Sequence, residues 1–492
     1  MATSPSYGDG SPIAAIATPL GESALGVIRT TGPGTVNRLA GIFSRPGALR
    51  TAPGNTVVHG WILEAQRGAK PARSRIDEVV IAVYRAPRSY TGEESADISC
   101  HGGIAPVLAV MRALRAAGFR DSLPGEFTFR AFMNGKLDLT RAESVMELVS
   151  ARTETGREHA VRRLSGDLEA GIQAVKALLV HALAGIELLL DYSEDEADPA
   201  GRPDERSVTE LSSDDLQSME EALARLRVLA ASYRRERLYQ DGALVVIAGR
   251  PNAGKSSLFN RLLQEERAIV TNVPGTTRDW IEEGIALAGI PIRLADTAGL
   301  HDSEDPVERI GMARSRELLA GADLALYLID GGAGLTEEDR AFFQDHAGTG
   351  NGRTEGPVPL IPVWNKADLA GPAAWPGAGG NPLVRISAKT GEGIPALTVA
   401  IAAALEAAFG GSDGSGGATR GAAGIATERQ KELIHAAIIF LEEALALAAR
   451  GLPLDLAAPL VREAVNALGE ITGEVSTAEI LETMFSRFCV GK

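Results

Sequence analysis

Residues 249–256 read Gly-Arg-Pro-Asn-Ala-Gly-Lys-Ser and fit the phosphate-binding loop G-x-x-x-x-G-K-[ST]. Glycines let backbone N–H groups turn toward phosphate oxygens, and a helix opening at the loop adds the positive end of its dipole. Lys255 is expected to reach the β and γ phosphates and Ser256 to ligate Mg²⁺, with Asn252, Ala253, Gly254 and Ser257 completing the cradle. Downstream, Asn365-Lys366-Ala367-Asp368 fits N-K-x-D. The carboxylate of Asp368 can accept from the N1–H and N2–H₂ of guanine, a donor pair that adenine lacks. Ser387-Ala388-Lys389 matches an S-A-K element that supports the guanine O6. Asp296-Thr297-Ala298-Gly299 offers an Asp to hold Mg²⁺ through water and a Gly N–H to sense the γ-phosphate. Each tetrapeptide alone also reads as an ordinary strand-to-loop turn. In this order, each after a strand-like run, they specify a GTP-binding domain.

The elements that must position these loops are legible too. Residues 243–248, 292–295, 360–364 and 383–386 are short apolar runs of the kind that form buried parallel strands, and 255–264 has helical composition. In open α/β sheets, ligands bind at the carboxyl ends of the strands. Ahead of this domain, residues 13–136 alternate short β-like runs (26–28, 56–58, 78–83) with turns and one helical pattern at 105–117. From Thr140, taken with Glu143 as a capping box, long helical patterns follow at 140–157, 159–191 and 214–239. They resume at 427–450, 456–468 and 476–487. The predicted fold class is therefore multidomain α/β and α+β. An N-terminal α+β domain spans 1–137, and a helical domain (138–240 and 425–492) carries an inserted Ras-like α/β GTPase domain (241–409) and a flexible linker (410–424).

A chain of 492 residues suits about three domains, and 45% hydrophobic with 23% charged residues is ordinary globular composition. A net charge of −15 excludes a general nucleic-acid binder. The charge is uneven: residues 1–140 hold 15 Lys+Arg against 11 Asp+Glu, a surplus of +4, which leaves −19 for the remainder. An RNA contact is better sought near the first domain. The two cysteines, Cys100 and Cys489, fit a reducing compartment and exclude a cysteine metal cluster. No apolar run approaches the ~20 residues that span a bilayer, and the first residues show no secretory signal. A cytoplasmic chain with no membrane partner is expected.

Small regulatory GTPases place a Gln after D-x-x-G to orient the attacking water. Here that position is Leu300, which cannot orient a water, so another device is needed. Glu304, Asp305 and Glu308 follow. They read either as a water-positioning acid or as solvated acids at a helix start.

Several blocks make the chain resemble a family over nearly its whole length. They are Ile13 to Pro19, Tyr90-Thr-Gly-Glu93, His101-Gly-Gly103, Pro124 to Thr128, Arg130 to Leu139, Gly275 to Asp279, Asp296 to Leu300 and the terminal Phe488-Cys-Val-Gly-Lys492. With them the sequence resembles the bacterial tRNA modification GTPase family MnmE, also called TrmE. The nucleotide motifs are shared with many GTPases, whereas the N-terminal blocks and the Cys-x-Gly-Lys end are far more specific. The resemblance implies a cytoplasmic homodimer that binds GTP, magnesium, potassium and 5-formyl- or methylene-tetrahydrofolate. With the flavoprotein MnmG, which carries FAD, it would form a heterotetramer or larger complex. That complex would add an aminomethyl or carboxymethylaminomethyl group at carbon 5 of the tRNA wobble uridine.

Residue roles follow from the same resemblance. Asn252, Thr271, Val273 and Thr276 are implied as potassium ligands, within a loop that includes Asn272, Pro274 and Gly275, and Thr277 as the second Mg²⁺ ligand. Glu308 falls at the acid that orients the water. Arg29, Lys136 and Lys492 match folate contacts, as does Asp97, where the family usually has Glu. Cys489 is a candidate nucleophile; read from its own setting, it is equally a small hydrophobe at a helix end. The rival functions are a ribosome-assembly GTPase and a purely regulatory switch. The first usually carries a strongly basic RNA-binding domain, and the terminal and N-terminal blocks weigh against both.

Overall fold

The computed structural model describes residues 7, 9–64, 74–195, 211–265, 282–296, 317–346, 358–369, 383–410, 423–475 and 478–491. They fall into two compact units, one of Met1–Met146 with Gly469–Lys492, the other of Glu147–Leu468.

In the first unit, β1 (Ile13–Ile16), β2 (Leu25–Thr31), β3 (Thr56–Leu63), β4 (Arg75–Tyr84), β5 (Ser95–His101) and β6 (Arg120–Asp121) form one sheet in the order β3-β4-β5-β2-β1-β6. Neighbours are antiparallel except β1 and β6. Alternation sends Ile28, Val79, Ile81, Ile98 and Cys100 to one face, where Val107, Val110, Met111 and Leu114 of helix Ile104–Ala116 close the core. The opposite face carries Arg29 on β2 directly across from Asp97 on β5. A one-residue slip of register would send that pair into the core, so the burial of Ile28 and Ile98 fixes where Arg29 points.

The C-terminal stretch belongs to this unit. Leu481, Phe485 and Phe488 pack on Leu139 and Ala142, with Phe129 and Phe132 alongside. Residues 469–475 and 478–491, within the second part of the expected helical domain, fall in this unit by contact, and the aromatic side chains hold them there.

In the second unit, β7 (Ala243–Gly249), β8 (Glu282–Leu287), β9 (Ile290–Asp296), β10 (Leu324–Asp330), β11 (Leu360–Asn365) and β12 (Val384–Arg385) are ordered β12-β11-β10-β7-β9-β8. Only β8 runs antiparallel to its neighbour. The central strands β7 and β10 are buried almost throughout, as strands covered on both faces must be. Helices Lys255–Glu265, Glu337–His346 and Ile394–Gly410 belong to this α/β part.

The helical part of the unit rests on Ser213–Asp241, which packs against Asp167–Asp195 and Glu428–Ala449. Along Asp167–Asp195 the residues Leu168, Ile172, Val175, Leu179, Ala182 and Ile186 are all buried. Their alternating three- and four-residue spacing is a bundle seam. Among the described residues, Asp167–Leu190 alone is long and apolar enough to cross a membrane by length and composition.

Two helices expected at 140–157 and 159–191 are three: Leu139–Ser150, Glu154–Ser165 and Asp167–Asp195. The Thr153 hydroxyl accepts from Gly156 N and starts a new helix, and Gly166, with φ 99°, ends it in the left-handed region. Thr140 is not the cap of the first helix. The Asp138 carboxylate accepts from Thr140 N at 2.8 Å and Arg141 N at 3.1 Å instead. A reciprocal capping box does occur at Thr427 and Gln430.

Candidate functional site

The phosphate loop leaves β7 and enters helix Lys255–Glu265, so its first-turn N–H groups lack intrahelical acceptors and face outward from the strand ends. Gly249 (φ 140°), Asn252 (φ 65°) and Gly254 (φ 95°) give the loop its curl. A side chain at 254 would bring its Cβ to 2.2 Å from Asn365 Nδ2, so glycine is required there. Lys255 is buried, and its Nζ donates to the carbonyls of Gly249 and Arg250, each at 2.9 Å. Burial pushes its pKa below the usual amine range, opposed by the nearby Asp296 carboxylate. Ser256 Oγ lies 2.9 Å from Asp296 Oδ2, two hard oxygen donors of the kind magnesium takes. Asn252 is exposed.

The base-reading loop is joined to the phosphate loop by Asn365. Its buried amide donates to Ala253 O at 2.7 Å and accepts from Ala388 N at 3.0 Å. One side chain thereby fixes three of the loops read from sequence. Ser387 is fully buried and accepts from Thr390 N, which shapes the Ser387–Lys389 turn. Asp368 is exposed at the end of its loop, open to a base. Lys366 and Lys389 lie on the same loops, and Ser257 lies in the first turn of the helix that follows the phosphate loop.

Three contributors were not read from sequence. Arg261 donates to Ala388 O at 3.2 Å and Lys389 O at 2.6 Å, which ties the helix after the phosphate loop to the guanine side. Asp330 pairs with Lys366 Nζ at 2.7 Å. Arg250, an unspecified position of the phosphate-loop pattern, pairs with Asp339 at 3.1 Å. The signal for Asp330 was available, because an Asp closing a central parallel strand stands where ligands bind. Arg261 and Asp339 are visible only once the chain is folded. Thr271 through Thr277, Thr297, Ala298, Gly299, Glu308 and Lys492 lie outside the described residues. Among the described residues no cluster of three or more His, Cys, Asp or Glu side chains could hold a metal.

In the first unit Arg29 and Asp97 approach at 3.4 Å and are each partly exposed. The guanidinium also lies over the rings of Tyr90, at 5.4 Å, and Phe127, at 5.9 Å, and donates to Gly491 O at 3.3 Å. This joins the strand pair to the C-terminal stretch. A cation, a carboxylate and two aromatic faces thus meet at one spot. Lys136 donates to Pro87 O at 3.1 Å. Cys489 is exposed and free, and its carbonyl accepts from Gly125 N at 3.3 Å. Cys100, by contrast, is buried, and burial reinforced by Asp77 pushes its thiol up to about 11.

A mostly parallel sheet with phosphate-binding and guanine-reading loops at its strand ends defines a GTP-binding protein of the P-loop class. Two family models cover the chain: "MnmE helical domain" over residues 139–489 and "GTP-binding protein TrmE N-terminus" over residues 12–136. The tRNA modification GTPase MnmE of Treponema denticola is 40% identical over 499 residues, covering 99% of each chain. The MnmE proteins of Syntrophus aciditrophicus (39%) and Chloroflexus aurantiacus (40%) each match over 98% of this chain and 99% of their own length. The chain belongs to the MnmE family of tRNA modification GTPases. Among solved structures, the G domain of the T. maritima FeoB iron transporter is 28% identical and covers 33% of this chain and 98% of its own, with a TM-score of 0.24.

Proposed function

We propose that this chain, a GTPase of the tRNA modification family, hydrolyses GTP in the modification of the tRNA wobble uridine at carbon 5. The observation that carries the proposal is the Asn365 bridge, which assembles phosphate and guanine loops into one site. Lys255 would neutralise charge on the β and γ phosphates, Asp368 would select guanine, and Ser387 to Lys389 would support its O6. Magnesium would be held by Ser256 and Thr277, with Asp296 acting through water, and would supply positive charge against the phosphate oxygens. Potassium would be held by Asn252, Thr271, Val273 and Thr276 and would supply the charge that an arginine finger supplies elsewhere, an effect of ~10³–10⁵ in rate. Glu308 would orient the attacking water in place of the Gln that Leu300 replaces.

The second part of the proposal concerns the first unit. Arg29, Asp97, Lys136 and Lys492 would hold a tetrahydrofolate, which supplies a one-carbon unit when bound, and Cys489 would stand near it. The Arg29 contacts with Asp97, two aromatic rings and Gly491 O support this. We further propose a homodimer formed by the N-terminal and helical domains, a flavoprotein partner of the MnmG type, and a cytoplasmic setting, which the two free cysteines favour. Of the proposed domain limits, 241–409 encloses every strand of the second sheet.

The test is GTP turnover in potassium and in sodium at equal ionic strength, with nucleoside analysis of tRNA from a strain lacking the gene. Faster turnover in potassium and loss of the carbon-5 modification are expected. Equal rates in the two salts would remove the cation mechanism, and unaltered tRNA would remove the pathway.

A further inference from the structure

The nucleotide motifs omit the connector between β10 and helix Glu337–His346, yet two of them are tied to it. At the start of the connector, Asp330 accepts from Lys366 Nζ at 2.7 Å and from Gly332 N at 2.9 Å. Lys366 has φ 61°, a conformation a lysine adopts only when its surroundings impose it. At the other end, Asp339 is fully buried. It accepts from Tyr327 Oη at 2.9 Å, Thr336 N at 2.9 Å, Thr336 Oγ1 at 2.8 Å and Arg250 Nε at 3.1 Å. The exchange with Thr336 is ordinary capping of a helix start. Capping does not account for Arg250, whose guanidinium leaves the phosphate loop to reach this carboxylate and Gly334 O at 3.5 Å. Arg250 also supplies one of the two carbonyls that seat the Lys255 ammonium.

We propose that the 330–339 connector is a positioning element for GTP turnover, in which Asp339 fixes the phosphate loop through Arg250 while Asp330 fixes Lys366 beside the base. None of these side chains needs to touch a reacting atom. One arm runs from Asp339 through the Arg250 side chain and its carbonyl to Lys255, and so to the phosphates. The other runs from Asp330 to Lys366, next to the Asn365 bridge. A buried carboxylate that keeps its charge-assisted partners holds them in one geometry, and loss of one partner leaves the other without its charge match. The two arms act on opposite ends of the same nucleotide, so their effects are separable. The proposal rests on the GTPase activity proposed above.

The test uses the full chain, with turnover at saturating GTP and affinity for GDP as separate readouts. Arg250→Met is expected to lower kcat about tenfold, with partial recovery in Arg250→Lys, which keeps a cation within reach of Asp339. Asp339→Asn, which also disturbs the Tyr327 and Thr336 bonds, is expected to cause at least the same loss, and adding Arg250→Met to it no further loss, because the Arg250 contact is already broken. Asp330→Asn is expected to weaken GDP binding about tenfold, with a smaller loss of kcat than in Arg250→Met. If Asp339→Asn does not fold, the Arg250 pair decides the phosphate arm, since that side chain is partly exposed whereas Asp339 is fully buried. An unchanged kcat in Arg250→Met, or no recovery with lysine, overturns the phosphate arm. An unchanged GDP affinity in Asp330→Asn overturns the base arm. Failure of the unsubstituted chain to hydrolyse GTP refutes the activity itself and is distinguishable from either result.

Discussion

In the nucleotide site the reactive groups stand at strand ends and on the loops that follow them, and they hold one another: Ser256 with Asp296, Asn365 with Ala253 and Ala388, Lys255 with its own loop. On the N-terminal sheet the charged pair stands in mid-strand. Arg29 and Asp97 are opposed across β2 and β5, and their surroundings come from Tyr90, Phe127 and Gly491, far apart in sequence. A loop site uses backbone N–H groups and glycine geometry, which leave a local signature. A sheet-face site uses register, which leaves none beyond alternation. The first should therefore be sensitive to small changes within one loop, and the second to loss of a single charge.

The largest expected effect tests whether the phosphate side does chemistry beyond binding. Glu308→Ala should bind GTP normally and hydrolyse it ~10²–10⁴-fold more slowly, as measured by single-turnover kinetics. Unchanged turnover would transfer the role to Glu304 or Asp305. Next is Gly254→Ala, which tests the interlocking of loops. The added Cβ would meet an Asn365 amide that is already bonded on both sides, at a φ that alanine resists. Strain of ~1–3 kcal/mol should weaken GDP binding by roughly ten- to hundredfold, read by calorimetry. Normal affinity would mean that the loops move independently.

On the N-terminal side, Arg29→Ala should weaken binding of 5-formyl-tetrahydrofolate about tenfold while GTP turnover stays unchanged. An equal effect on turnover would erase the contrast between the two regions. The smallest effect concerns scaffolding alone. Thr427→Ala, at the capping box, should lower unfolding free energy by ~1 kcal/mol without altering GDP affinity.

The same contrast explains what could be read in the chain. The phosphate and guanine loops and the strands before them were legible because local spacing encodes them. The break at Thr153 and the stop at Gly166 were missed because the helical patterns read at 140–157 and 159–191 each run past one of them, and the cap and the left-handed glycine that set the true ends are local hydrogen-bond and backbone features. The cap at Asp138 was assigned to Thr140 because the two stand close together and only the hydrogen bonds choose between them. Arg29 and Asp97 were named through family resemblance alone, since nothing local marks a cross-strand pair. The attachment of Phe485 and Phe488 to Leu139 is a long-range packing choice that helical periodicity cannot express.

The most direct measurement is the modified-uridine content of tRNA from a strain whose only copy of this chain lacks Val490 to Lys492, alongside GTP hydrolysis by the purified truncated protein. The Gly491 carbonyl accepts from Arg29, so the truncation strikes the N-terminal site and leaves every described nucleotide loop intact. Loss of the carbon-5 modification with continued GTP hydrolysis is the predicted result. Normal modified-uridine levels would contradict the role of the terminal stretch and of the Arg29 site in the reaction.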